Sequence, residues 1–148
     1  MGLWGEFVTI VDKHFKYLET EFGFKWVSNL TPFVIYESSS LRLKVFWEDD
    51  GHHEVDLGID PFQRIDKHNI SFGISELVRL HHPKESESYE SSHPRTKEDL
   101  DISVRELAMI VKKYGSDVLR GDLKDLERIE KLREQVGRKM SWRHSQKH

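Results

Sequence analysis

The chain has 148 residues, of which 33% are charged and none is cysteine, and its formal net charge is −3. This length favours one domain with a buried core, and the lack of cysteine excludes disulfides, zinc–thiolate sites and a thiol nucleophile. Because no apolar run approaches the roughly 20 residues of a membrane span and no signal peptide is recognisable, we expect a single cytoplasmic domain over residues 1–148.

The first segment has the pattern of an amphipathic helix. Apolar residues recur at steps of three and four along one face: Trp4, Phe7, Val8, Val11, Phe15, Leu18 and Phe22. Gly23 follows at once, and helices commonly end in the left-handed conformation that glycine adopts without a Cβ penalty. The sequence therefore predicts one helix over residues 3–22.

Residues 41–59 alternate between apolar and polar, as a half-buried β-hairpin does. A three-residue loop at 49–51 would set Lys44 opposite Asp56, a favourable cross-strand pair. The same loop would pair apolar residues with each other: Leu41 with Ile59, Leu43 with Leu57, and Val45 with Val55. The hairpin is therefore predicted to have one apolar face.

The same argument extends the sheet by one strand. A loop at 38–40 would pair Ile35 with Leu43 and Phe33 with Val45. This predicts an antiparallel meander of three strands, at 33–37, 41–48 and 53–59, to which residues 25–28 could add a fourth. Because a one-faced sheet must bury its apolar side, we expect the opening helix to cover it.

The middle of the chain has weaker signals. Ile70 and Phe72 suggest a short strand, and the spacing of Ile74, Leu77 and Val78 suggests a short helix after it. Residues 83–97 are rich in serine, glutamate and proline, which is typical of a flexible loop.

Two helices are predicted after this loop. Thr96 and Asp99 resemble a capping box, and the apolar stripe that follows indicates a helix ending at Gly115. A single turn closed by Gly121 would come next, and then a last helix capped by Asp122. The basic tail at 141–148 is expected to fray. The predicted fold class is α+β, with an N-terminal helix on an antiparallel β-meander of three to four strands, followed by C-terminal helices.

One strand suggests a metal site. His52, Glu54 and Asp56 occupy alternate positions and so share the face opposite the apolar stripe, where they could reach one ion. However, no recognised zinc spacing is present, and an exposed polar strand face explains the same residues. A metal-dependent enzyme using this strand face is therefore the alternative function, and we assign no catalytic residue and no cofactor.

Charge and aromatic residues favour a protein partner. The last 14 residues carry four basic side chains and no acid, which leaves −7 on the other 134 residues. Such an acidic body argues against a nucleic-acid partner and would attract a basic protein. Unless the C-terminal helices cover the face opposite the core, it would present aromatic and acidic contact residues: Tyr36, Phe46, Glu48, Glu54 and Asp56.

Two stretches, HFKYLETEFGFKW and ELAMIVKKYGSDVLRGDLKDL, resemble small bacterial proteins, among them families grouped with immunity proteins of polymorphic toxin systems. The resemblance rests on the helix that closes in Phe22-Gly23-Phe24, and on Tyr114 followed by Val118-Leu119-Arg120-Gly121-Asp122. It covers about a quarter of the chain, includes no catalytic signature, and departs from the expected tyrosine at Phe22. It implies a cytoplasmic bacterial protein without catalysis that binds and neutralises a partner protein.

Overall fold

The computed structural model describes residues 3–48, 54–63, 71–86 and 93–146, leaving aside the side chains at 85–86 and 137–146. The elements are α1 Trp4–His14, α2 Lys16–Thr20, β1 Lys25–Ser28, β2 Phe33–Glu37, β3 Leu41–Trp47, β4 Val55–Pro61, β5 Phe72–Gly73, α3 Ile74–His81, α4 Pro83–Ser86, α5 Lys97–Leu119 and α6 Lys124–Gln146. This order confirms the α+β class, and the sheet has five strands where three to four were predicted.

The strands form one antiparallel sheet in chain order, β1-β2-β3-β4-β5. In the β3–β4 pair, Leu43 lies opposite Ile59 and Val45 opposite Leu57, so the predicted register was wrong by two residues. The slip pairs Trp47 with Val55, which buries both side chains, and it requires a turn longer than the predicted three residues. Because the shift is even, Leu43 and Leu57 still share the buried face, as predicted.

A second slip, in β2, has a larger consequence. Val34 pairs with Val45 and Tyr36 with Leu43, which differs from the predicted register by one residue. An odd shift exchanges the two faces of a strand, so Val34 and Tyr36 are buried and the odd-numbered residues face outward. The local cause is a turn in which Ser38 Oγ accepts hydrogen bonds from the backbone N–H groups of Ser40 and Leu41 (3.2 and 3.1 Å).

Helices cover the buried face of the sheet. The predicted helix over residues 3–22 breaks at Phe15 into α1 and α2. The second of these ends at Thr20, and Gly23, three residues later, adopts the expected positive φ of 72°. Side chains of α1, α3 and α5 join the strands in one core, so the opening helix shares the cover with two later helices. These core residues include Phe7, Val11, Leu77, Leu107 and Val111.

The C-terminal helices begin as predicted and extend further. Thr96 Oγ1 accepts a hydrogen bond from the Asp99 N–H at 3.1 Å, which confirms the N-terminal cap of α5. The prediction that this helix ends at Gly115 was wrong, because α5 continues to Leu119 and Gly115 is buried beside Leu77 of α3. The chain turns at Gly121 (φ 99°), and no helix within the described ranges could span a bilayer.

Two predictions fall partly outside the described residues. Within the predicted loop at 83–97, Pro83–Ser86 form one helical turn, and residues 87–92 lie outside the described ranges. Helix α6 continues to Gln146, but nothing is described for side chains after residue 136. The frayed tail at 141–148 therefore stays a prediction.

Candidate protein-binding face

The face of the sheet that points away from the core is here called the outer face. On β3 the burial alternates strictly, because Leu41, Leu43, Val45 and Trp47 are buried and the residues between them are partly or fully exposed. The side chains that β2, β3 and β4 place on the outer face are Phe33, Ile35, Glu37, Arg42, Lys44, Phe46, Asp56 and Asp60.

An apolar strip crosses the middle of the outer face, formed by Phe33, Ile35 and Phe46. Phe33 and Phe46 are direct cross-strand partners, and their rings meet edge to face with centroids 6.1 Å apart. All three side chains are half-buried, and Lys44 Nζ lies 5.8 Å from the Phe33 ring centre. Beside them, at the β1 edge, Val27 is 51% exposed. Aromatic and branched side chains exposed in this way are the usual centre of a protein interface.

One end of the strip is acidic; this acidic end comprises Glu48, Glu54 and Asp56. Asp56 is the cross-strand partner of Phe46, and the Glu48 N–H donates to the Glu54 carbonyl at 3.0 Å. Residues 48–56 contain five carboxylates and no lysine or arginine. Among the described residues, Glu48, Glu54 and Asp56 make this end of the strip acidic.

The other end of the outer face is held by a charge-balanced cluster. Lys44 Nζ lies 2.9 Å from both Asp60 Oδ2 and Ser71 Oγ, and the Ser71 hydroxyl donates to Asp60 Oδ1 at 2.5 Å. Each group satisfies another, so the cluster ties β3 and β4 to the start of β5. We assign the cluster a structural role, because the Ser71 hydroxyl accepts a hydrogen bond from Lys44 and donates one to Asp60.

Arg133 connects this cluster to the helices. Its guanidinium donates to both carboxylate oxygens of Glu76 (2.8 and 2.6 Å) and to the Ser71 carbonyl (3.0 Å), and it lies 4.5 Å from the Phe72 ring centre. The Gly73 N–H also donates to Glu76. Helix α6 is thereby fastened at the β5 edge, while the described side chains of the apolar strip keep their partial exposure.

Four of the five predicted contact residues lie on the outer face: Phe46, Glu48, Glu54 and Asp56. The assignment of Tyr36 was wrong, because the one-residue slip of β2 turns its side chain into the core, where it is fully buried against Trp26. Burial raises the pKa of its phenol, and its hydroxyl has no hydrogen-bond partner among the described residues. Phe33 and Ile35 take its place on the outer face.

The metal hypothesis is not tested by the structure. Glu54 and Asp56 share the outer face, but His52 lies outside the described residues. Within the described part of the chain, no three histidine, aspartate or glutamate side chains are grouped so that they could hold an ion. Titration of the folded chain with zinc or manganese would test this alternative directly.

Comparison of the chain with protein-family models, with curated proteins and with solved structures finds no match. The resemblance to immunity proteins therefore depends on the two sequence stretches quoted above.

Proposed function

We propose that this chain is a non-catalytic cytoplasmic module that binds another protein through the outer face of its sheet. The observation that carries the proposal is the position of the Phe33–Phe46 pair, which is partly exposed and lies directly beside the acidic end. Buried aromatic contacts supply most of the binding energy in many interfaces, and charges at the rim increase the association rate and the specificity.

The partner that fits this surface is basic. The acidic end lies next to the apolar strip, and the chain outside its last 14 residues carries a net charge of −7. A lysine- or arginine-rich surface would be attracted over a distance of about 10 Å at moderate salt. The association rate with such a partner should therefore fall as the salt concentration rises.

The most concrete form of this function is immunity-like neutralisation of a toxic partner. The resemblance of residues 14–26 and 106–126 to immunity proteins supports it. A small acidic protein can neutralise a toxin by binding tightly to its basic surface, and this requires no catalytic activity. If a neighbouring reading frame encodes the toxin, the toxin and this chain are made in the same cell, so that reading frame is the first place to look for the partner.

The test is a binding measurement with the product of the neighbouring reading frame, followed by mapping on the outer face. Phe46→Ser should weaken binding by about 2 kcal/mol, as truncation of a central aromatic contact does. Glu54→Lys should mainly slow association and reduce its salt dependence. Val136→Ser is the matched control, because Val136 is 55% exposed on α6 and lines a groove with Arg79 and Leu80 of α3.

Two results would contradict the proposal at different levels. If the neighbouring product does not bind, the immunity-like form is wrong. If a mapped complex leaves Phe46 and Glu54 free, or if both substitutions bind like the wild type, the outer face is not the binding surface.

A further inference from the structure

A second exposed surface lies on the solvent side of α5. Ile102 and Met109 are 42% and 65% exposed, and their spacing of seven residues places them on one face, two turns apart. Arg105 and Glu106 are exposed between them. A shallow groove of about 570 Å³ adjoins Met109 and is lined by Glu106, Ile110, Lys112 and Lys113.

The charges on this side of α5 are separated along the helix. Glu98 and Asp99 lie in its first turn, and Lys112 and Lys113 lie three to four turns later, all exposed. Acids in a first turn are favoured by the helix dipole, but the last turn of α5 contains no basic residue. The dipole therefore explains the acidic end. Lys112 Nζ pairs with Glu21 Oε2 at 2.9 Å, and Lys113 Nζ lies 5.0 Å from the centre of the Tyr114 ring, but both lysines remain exposed.

We infer that this face of α5 binds the same face of a second copy in antiparallel orientation. With Ile102 set opposite Met109 of the second copy, Arg105 faces Glu106 and Glu98 faces Lys113. Each pairing occurs twice, because a twofold interface repeats every contact. A parallel arrangement would set like charges against each other, so the charge pattern selects the antiparallel one.

The dimer should be weak. One helix pair buries less than the roughly 1,200–2,000 Å² of a standard stable interface, so association should depend on concentration and salt. The opposite side of α5 packs on α1 and the sheet, so the dimer leaves the outer face of the sheet free. The inference is therefore independent of the proposed partner binding.

The test uses charge reversal at two positions that cannot meet within one chain. Glu98 and Lys113 are 15 residues apart on one helix, or about 22 Å. We expect sedimentation equilibrium to show a mass that rises with concentration for the wild type. Glu98→Lys and Lys113→Glu should each weaken association about tenfold or more, because each sets two pairs of like charges in contact.

Restoration in trans is the decisive measurement. An equimolar mixture of the two single variants should associate like the wild type, because every facing pair in the mixed dimer is again of opposite charge. Met109→Asp should abolish association, and Val136→Asp, at an exposed apolar position on α6, should not. A wild type that stays monomeric up to about 1 mM, the range of weak protein association, would overturn the inference. So would a mixture that associates no better than its components.

Discussion

The two faces of the sheet contain similar residues and differ in what surrounds them. The buried face holds Tyr36, Leu43 and Trp47, each at most 2% exposed. The outer face also holds two phenylalanines and an isoleucine, but these lie among charged side chains and remain partly exposed. Residue type alone therefore does not decide which side of this sheet is the core; the register and the position of the helices decide it.

The two faces also differ in whether their polar side-chain atoms have hydrogen-bond partners. On the outer face, Lys44, Asp60 and Ser71 all have partners at 2.9 Å or less. On the buried face, Tyr36 Oη and Trp47 Nε1 have none among the described residues. Because an unpaired buried polar atom costs about 1–3 kcal/mol, the core accepts this cost to bury two large rings.

The largest expected difference is in stability, between alanine substitutions at two adjacent residues of β3. Leu43→Ala should lower the free energy of unfolding by about 2–5 kcal/mol, because it leaves a cavity in a fully buried site. Lys44→Ala, one residue along on the outer face, should cost about 1 kcal/mol or less. Urea denaturation monitored by tryptophan fluorescence compares the two, and equal losses would contradict the assignment of the faces.

The next effect concerns the edge where α6 meets the sheet. Arg133→Ala should destabilise the fold by about 1–3 kcal/mol, because it removes charge-assisted hydrogen bonds to Glu76. Arg133→Lys should recover only part of this, since an ammonium cannot bind both carboxylate oxygens in the same geometry. Arg79→Ala, an exposed arginine on α3, is the control in the same denaturation assay. If Arg133→Ala and Arg79→Ala have equal effects, Arg133 does not fasten α6.

Two tyrosines test whether a hydrogen-bonded hydroxyl and an unbonded one contribute differently to stability. Tyr17 donates to the Ala108 carbonyl at 2.7 Å, so Tyr17→Phe should cost about 1 kcal/mol. Tyr36→Phe should be neutral or stabilising, because the lost hydroxyl has no described partner. Thermal unfolding of both variants measures the difference. A clear loss for Tyr36→Phe would show that its hydroxyl has a partner after all.

The smallest effect is on pH dependence in the helical layer over the buried face. The hydrogen bond from His14 at 2.9 Å, with help from Lys13, lowers the pKa of the Asp101 carboxyl. The stabilisation that the Asp101 carboxylate gives the fold is therefore fully present above the ordinary aspartate pKa of about 3.9. It is lost as the pH falls through the lower pKa that Asp101 has in the folded chain. Asp101→Asn should cost about 1 kcal/mol or less at pH 6, and the difference should vanish in acid. If the stability difference between Asp101→Asn and the wild type grows in acid, the lowered pKa of Asp101 is contradicted.

Much of the fold could be predicted because its signals are local. The alternation on β3 identified its two faces, and Gly23 and Thr96 identified a helix end and a helix start. These features depend on residues within a few positions of each other. The outer-face position of Phe46 and the acidic end followed from the same alternation, so most of the candidate site was accessible without coordinates.

The sequence alone therefore determined the fold class, the order of elements and the alternating burial of β3. The tertiary structure decided the register of β2, where four consecutive apolar residues, 33–36, carry no alternation to distinguish core from surface. It also decided the continuation of α5 through Gly115, which lies against Leu77, and the pairing of Arg133 with Glu76 across 57 positions. Such choices depend on contacts between distant segments, and they are settled by whichever arrangement buries the larger rings and pairs the charges.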